Sequence, residues 1–579
     1  MRSALKAAIF QKTSTVFEHH VVDGQSNAWC AGAKPPITLI ASLPDITAMF
    51  GIGINTWNAA NSPSAPANRT GDFTLAKLDP AVSGYENMLV QTVLNRSTRE
   101  SASAKKMAVT YSGQGSKRLA ELSSLDLGTA PAKGYWITGL DDMARMRVHA
   151  SNIGARYRLS TYGIASCEND VDMIINPGEA ASTPVLARNT VSSRLRMMVR
   201  EKAAAAVALG SPPPAFWVIQ PSTVAGTLHF TIAQGVLNAV DPTWVDPVNG
   251  EAVFPNGVCV GPSYPYDSAI NSYFGATRSP EDFSGYAGLL DAQRIHYTSQ
   301  SSRQLGAKVD QALRVKATEG RDIALQVIQV TDDPDFPGNR THCLLHLRVY
   351  APPVVIDTDY FPEFLAKGIV AYPNNTIGST TSPQNSSVIT VWDDGRGEAA
   401  NGITGAVYGM ARLKVTFAGA ALPANSRVVF GRFSNLAANA SFKFVSQIAG
   451  PTRRGLPTYD YTFSDVTGLM YTQALAITKR SAFSLTRTTG SGPGAIYIQD
   501  VVSNGAGVTV LRGEQGVGGV LVLNEQYRPM FPTVGINIRD SDITSLGVNW
   551  VDTWYGDQTL IGTPMPASNW LCCGELIWS

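Results

Sequence analysis

Two changes of texture along the 579-residue chain predict its fold class: a three-layer α/β domain followed by all-β sandwich domains. Up to about residue 320, strand-like runs alternate with helix-like runs, the pattern of a parallel sheet with helices on both faces. Beyond Ala317, short strand-like runs alternate with clusters of Pro, Gly, Asn and Asp, and almost no amphipathic helix is visible. Sandwiches read this way. With 52 Gly and 34 Pro, the chain has turn residues in the number that such a fold needs. A chain this long holds more than one domain. The expected division is 1–325 for the α/β part, 326–455 for a β-sandwich and 456–579 for a C-terminal β-rich domain. The last boundary is placed around "GPTRRGLP".

The first element is the end of "VVDGQSNAWC", where Val21 and Val22 close a short buried strand and Gly24 allows a sharp exit. A Ser just past such a strand end exposes its hydroxyl at the carboxyl edge of a sheet, where open α/β folds keep their chemistry. "KKMAVTYSG" and "RLSTYGIAS" are further strands that end in small residues. "VSSRLRMMVREKAAAAVALG" places Val191, Leu195, Met198 and Val199 on one helical stripe and stops at Gly210. "SPPP" then turns the chain into the compact strand "AFWVIQ". In "LLDAQRIHYTSQSSRQLGAKVDQAL", Thr298 or Ser299 can cap a helix whose buried stripe is Leu305, Val309, Ala312 and Leu313. The β-rich half is read from "DIALQVIQVT", "HCLLHLRVYA", "PPVVIDT", "SSVITVWDDG", "ARLKVTFAG", "SRVVFGRF", "GAIYIQDVV" and "GVTVLRG".

Composition excludes several classes. A net charge of +1 gives no electrostatic case for nucleic acid or an anionic membrane. No stretch of 18 uninterrupted apolar residues predicts a membrane span, and "MRSALKAAIFQKTS" makes a poor signal peptide. Cys30, Cys167, Cys259, Cys343, Cys572 and Cys573 lack paired zinc-site spacing, so no metal and no cofactor is expected and buried free thiols are the default.

A serine nucleophile needs a base. Of seven histidines, His19 and His20 alternate to opposite faces of a strand, His149 and His229 lack catalytic context, and His342 and His346 fall in the β-rich half. His296 differs, because it stands at a loop-to-helix junction where it can be held rigidly against a site.

"DGQSNA" and "IHYT" together resemble the SGNH hydrolases, most closely the sialate O-acetylesterase-like carbohydrate esterases, whose nucleophile sits in a GQSN turn. "SCENDVD" resembles the block that supplies an oxyanion-binding Asn, matching Asn169. "YSGQGSKRLAEL" resembles the Gly block, matching Gly115 with Gly113 as the alternative. The resemblance covers roughly residues 15 to 315. It implies a flavodoxin-like sheet, with Ser26 as nucleophile, His296 as base and the oxyanion held by Ser26 N–H, Gly115 N–H and the Asn169 amide. Many family members carry an Asp three residues before the histidine, and here Gln293 stands there. Asp291 is the first choice to orient the imidazole, with Gln293 or a backbone carbonyl as alternatives. Where related chains often have Gln-Gly-Glu, this one has Cys167-Glu168.

The resemblance implies a serine esterase that removes O-acetyl groups from a polysaccharide or glycan. Low charge, abundant small polar residues and the β-rich half further suggest a phage tail fibre or tailspike protein. Its partners would be the acetylated glycan, copies of itself and other virion proteins. It would be located in the virion or outside the cell, a bacterial cytoplasmic esterase being the alternative. The competing class is a non-catalytic virion structural or receptor-binding protein that kept the fold. Trp550, Trp554 and Trp570 offer surfaces in the β-rich half, and a chain ending near Lys316 is expected to fold and keep activity on small esters.

Overall fold

The computed structural model describes residues 15–25, 28, 47–50, 76–77, 88–89, 92–93, 96, 106–113, 118–125, 134–165, 167, 184–221, 229–247, 250, 257–264, 299–357, 368–373, 383–397, 399–401, 407–431, 440–445, 460–466, 482–486, 497–502, 508–513, 520–522, 536–542 and 569–579. The first part runs β1 (Val16–Gly24), β2 (Thr47–Phe50), β3 (Ala76–Lys77), β4 (Lys106–Gly113), α1 (Leu119–Leu122), α2 (Gly134–Asn152), β5 (Arg156–Ala165), α3 (Pro184–Ala208), β6 (Ala215–Gln220), α4 (His229–Val240), β7 (Gly257–Pro262) and α5 (Ser299–Glu319).

These strands form one seven-stranded sheet in the order β3-β2-β4-β1-β5-β6-β7, parallel except for β3. Without the edge strands β2 and β3, the order is second, first, third, fourth, fifth. That is the doubly wound order of flavodoxin-like sheets, whose ligands bind where the order reverses, at the carboxyl ends beside the first strand. On one face, Phe17 and Val21 of β1 share a core with Met143 and Met146 of α2, Leu195 and Met198 of α3 and Ile232 of α4. On the other, Val22 shares a core with Met88, Leu89 and Val93, and with Leu305, Val309 and Ala312 of α5. Two helical layers therefore enclose the sheet, as the alternating texture implies.

Element starts differ from the sequence reading where capping information is remote. The helix read from Val191 begins at Pro184, two turns earlier, and Pro is well suited to a first helical turn. It ends where expected, with Gly210 at φ +80°.

The second part contains β8 (Gln326–Asp332), β9 (His342–Val349), β10 (Val355–Ile356), β11 (Ile369–Tyr372), β12 (Gln384–Asp393), β13 (Ala399–Asn401), β14 (Val407–Phe417), β15 (Ser426–Phe430), β16 (Ala440–Val445), β17 (Asp460–Val466), β18 (Ala482–Thr486), β19 (Tyr497–Val502), β20 (Val508–Gly513), β21 (Val520–Val522), β22 (Ile538–Arg539) and β23 (Gly574–Trp578). Among the described residues no helix follows Glu319. An eight-stranded sheet takes the order β23-β15-β11-β12-β14-β9-β8, with β13 on β14, and its pairings are antiparallel. Alternation sorts its faces: Cys343, Leu345 and Leu347 of β9 point inward with Ala411, Leu413 and Val415 of β14. The two ends of this sheet meet. Trp578 Nε1 in β23 donates to Asp332 Oδ1 in β8 (2.8 Å), and Arg340 Nη2 donates to the Trp578 carbonyl (2.7 Å).

The two parts share structure. Gln220, at the end of β6, exchanges two 2.7 Å hydrogen bonds with the backbone of Cys573. Tyr264 Oη donates to Leu571 O (2.9 Å), Thr231 Oγ1 donates to Glu575 (3.1 Å), and Leu325 bridges Leu571. Phe230, Ala233 and Tyr264 of the first part belong to the core of the second. The expected boundary at 455 lies outside the described residues, although the β16–β17 ladder spans it and β23 joins the sheet built from residues 326–430. Trp570 is buried at 1% exposure, so it cannot offer the surface considered for it, because it fills the joint core. Trp550 and Trp554 lie outside the described residues.

Candidate functional site

Three neighbouring strands end level with one another. Gly24 closes β1 opposite Gly113 of β4 on one side and Ala165 of β5 on the other. The chain packs too tightly here for side chains. A Cβ at Gly24 would clash with the Ala165 carbonyl oxygen, and one at Gly113, whose φ is +153°, would clash with the Gly24 carbonyl oxygen. Tyr111 reaches across from β4, its hydroxyl donating to Gly24 O (3.0 Å) and Gln25 O (3.1 Å). Ala28 N donates to Gln25 O (2.9 Å). Past β5, Cys167 has a φ of +93° and is fully buried. Non-glycine residues held there cost about 1–3 kcal/mol and cluster at functional sites.

Of the residues predicted to act, Gly113 is placed, as the last residue of β4. Ser26, Gly115, Asn169, Asp291, Gln293 and His296 lie outside the described residues. Ser26 and Gly115 each follow the last residue of β1 and β4 by two, Asn169 follows β5 by four, and His296 precedes α5 by three. Leu305, Val309 and Ala312 of α5 are buried as expected, in one core with Val22, Ala28, Tyr111 and Ala165 from the three strand ends. Leu313 is partly buried against that core.

Beneath the strand ends lies a charged cluster that sequence reasoning missed. Lys202 of α3 is fully buried, with Nζ 3.3 Å from Asp23 Oδ2, and Tyr162 Oη donates to the same oxygen (2.7 Å). The ammonium also stands 4.4 Å from the Trp136 ring centroid, a cation–π contact. Gly139 makes the space, since a Cβ there would lie 2.5 Å from Nζ. Burial pushes the Asp23 carboxyl above its usual range, opposed by Lys202 and by the Tyr162 hydrogen bond. In sequence Lys202 stands in the Ala-rich run "EKAAAAVA", where lysine reads as solvated. Its partner lies far away in the chain, on β1.

Three of the remaining histidines, His19, His20 and His149, have structural surroundings. His19 is buried, with Nδ1 3.0 Å from Tyr157 Oη and Nε2 2.8 Å from Thr110 Oγ1. Burial, with Lys202 nearby, lowers its pKa to about 3, so it is neutral at ordinary pH. His20 takes the opposite face, 2.9 Å from Thr161 Oγ1. His149 packs edge-on against Phe17. Among the described residues, no group of three or more His, Cys, Asp or Glu could hold a metal ion. Cys167, Cys259, Cys343, Cys572 and Cys573 are buried, while Cys30 lies outside the described residues. Among the described residues, no helix is long and apolar enough to cross a membrane.

No family model matches the sequence, and no curated protein matches it. Among solved structures, the chain is similar to a carbohydrate acetylesterase from Xanthomonas citri, with 10% identity and a TM-score of 0.36 over 71% of this chain and 75% of that one. It is also similar to a protein from Arabidopsis thaliana, with 11% identity and a TM-score of 0.28 over 51% of this chain and 97% of that one.

Proposed function

We propose that the protein is a serine esterase that removes O-acetyl groups from a surface polysaccharide or glycan and works as part of a phage tail fibre or tailspike. The observation that supports this reading best is the level ending of β1, β4 and β5 at Gly24, Gly113 and Ala165. The three motif stretches leave the sheet there, where the strand order reverses. In the proposed mechanism, Ser26 Oγ attacks the ester carbonyl while His296 takes its proton and then returns it to the leaving sugar hydroxyl. Water repeats the sequence on the acetyl-enzyme. The Ser26 and Gly115 N–H groups and the Asn169 amide hold the oxyanion, each worth on the order of 10² to 10³ in rate. Asp291 orients His296, with Gln293 as the alternative group.

Acetate release from an O-acetylated polysaccharide tests the reading. The wild-type protein is expected to release acetate and Ser26→Ala to release none, with its fold unchanged by circular dichroism. Full activity in the variant would refute the assignment. Association with purified virions, detected by an antibody, tests the location.

A further inference from the structure

The outer face of the eight-stranded sheet carries a second candidate site. Trp392 is the extra residue of a bulge in β12, because Val391 pairs with Leu413 and Asp393 with Arg412, leaving it unopposed. Bulges re-aim side chains and recur beside functional sites. This indole is 47% exposed, although Trp570 and Trp578, from the same half, are buried. It borders an open groove of about 660 Å³, lined also by Pro353, Asp393, Asp394, Arg396 and Arg412. One wall is held tightly to the sheet. A Cβ at Gly409 would lie 2.5 Å from Pro352 Cγ, and Val354 N donates to Asp394 O (2.9 Å).

The polar groups are ordered in place. Asp393 Oδ1 accepts from Gly395 N (3.0 Å), and Asp394 accepts from Arg396 N (3.1 Å) and from its guanidinium (2.9 Å at Nε). Hydrogen bonds from Arg396 hold the Asp394 carboxyl below its usual range, so it is ionised at neutral pH. Lys414 Nζ stands 4.8 Å and the Arg412 guanidinium carbon 5.6 Å from the indole centroid. Lys414 is anchored in turn by Asp333 (3.3 Å) and by Asp335.

We infer that this groove binds a neutral oligosaccharide, one sugar ring resting on Trp392 with its hydroxyls on Asp393, Asp394, Arg396 and Arg412. Sugar rings present C–H faces that suit an exposed indole, and vicinal hydroxyls that both donate and accept. Fixed carboxylate and guanidinium groups match such hydroxyls in pairs. The two carboxylates and two guanidiniums of the lining cancel, and Lys414 beside the indole is paired with Asp333 and Asp335, which favours a neutral ligand over an anionic or cationic one. The volume suits a few sugar units. The inference rests on this groove and not on the proposed hydrolysis.

Calorimetric titration of the full-length protein with β-1,4-linked tetrasaccharides of glucose, mannose and N-acetylglucosamine, beside tetragalacturonate, tests it. At least one neutral tetrasaccharide is expected to bind. Trp392→Ala should weaken it by about tenfold or more and Trp392→Phe by much less. Val388→Ala, on the same strand, should leave it unchanged. If Trp392→Ala misfolds, Arg396→Gln takes its place, with a loss of about fivefold expected. Binding that survives these changes, binding of tetragalacturonate alone, or no binding at all would overturn the inference. Ser26→Ala should bind normally, so loss of esterase activity and loss of sugar binding are read separately.

Discussion

Lys202 makes the clearest single-residue case, because a fully buried ammonium survives only when paired. Removing it strands Asp23 beside Tyr162 and Trp136. Lys202→Met should therefore destabilise the protein by about 3–5 kcal/mol in urea unfolding at pH 8. The loss should be smaller at pH 5. A carboxyl whose folded pKa lies above its unfolded value adds stability below the unfolded pKa, and that contribution is lost as pH rises through the folded one. His19 works in the opposite sense. Its folded pKa of about 3 lies below the unfolded 6.5, so its contribution is full above 6.5 and is lost as pH falls towards 3. His19→Gln should flatten the acid limb of a stability–pH profile by a few kcal/mol. That these two groups are structural was only half legible. Alternation put His19 and His20 on opposite faces, but nothing local marks Lys202 as buried, because its acid lies on another element.

At the scale of elements, the strand ends carry the account. Gly24 faces backbone on the β5 side, so Gly24→Ala cannot be relieved by a rotamer change. It should cost about 1–3 kcal/mol in stability and abolish ester hydrolysis, measured by denaturant unfolding and acetate release. The central strands and the buried stripes of α3 and α5 were legible, because period-2 and period-3.6 patterns are local. Alternation of strands with helices made the parallel sheet legible, but not its strand order, which only the family resemblance implied. The edge strands β2 and β3 escaped notice, since four- and two-residue segments carry too little pattern.

For the whole molecule, the last residues matter most. Strand β23 completes a sheet begun some 250 residues earlier in the chain, and Cys573 with Gln220 stitches that sheet to β6. No local signal could announce such a closure. A chain ending near Lys316 would leave Phe230, Ala233 and Tyr264 without the core they share, so it should aggregate or remain molten rather than retain activity. Deleting residues 569–579 alone should have the same effect, read by loss of a cooperative thermal transition. The central claim is that the turn after β1 presents a nucleophile. Its most direct test is labelling of the intact protein with a fluorophosphonate, followed by peptide mass spectrometry. The label should lie on Ser26 and should be lost in His296→Ala, whereas a label on any other serine, or none at all, would contradict it.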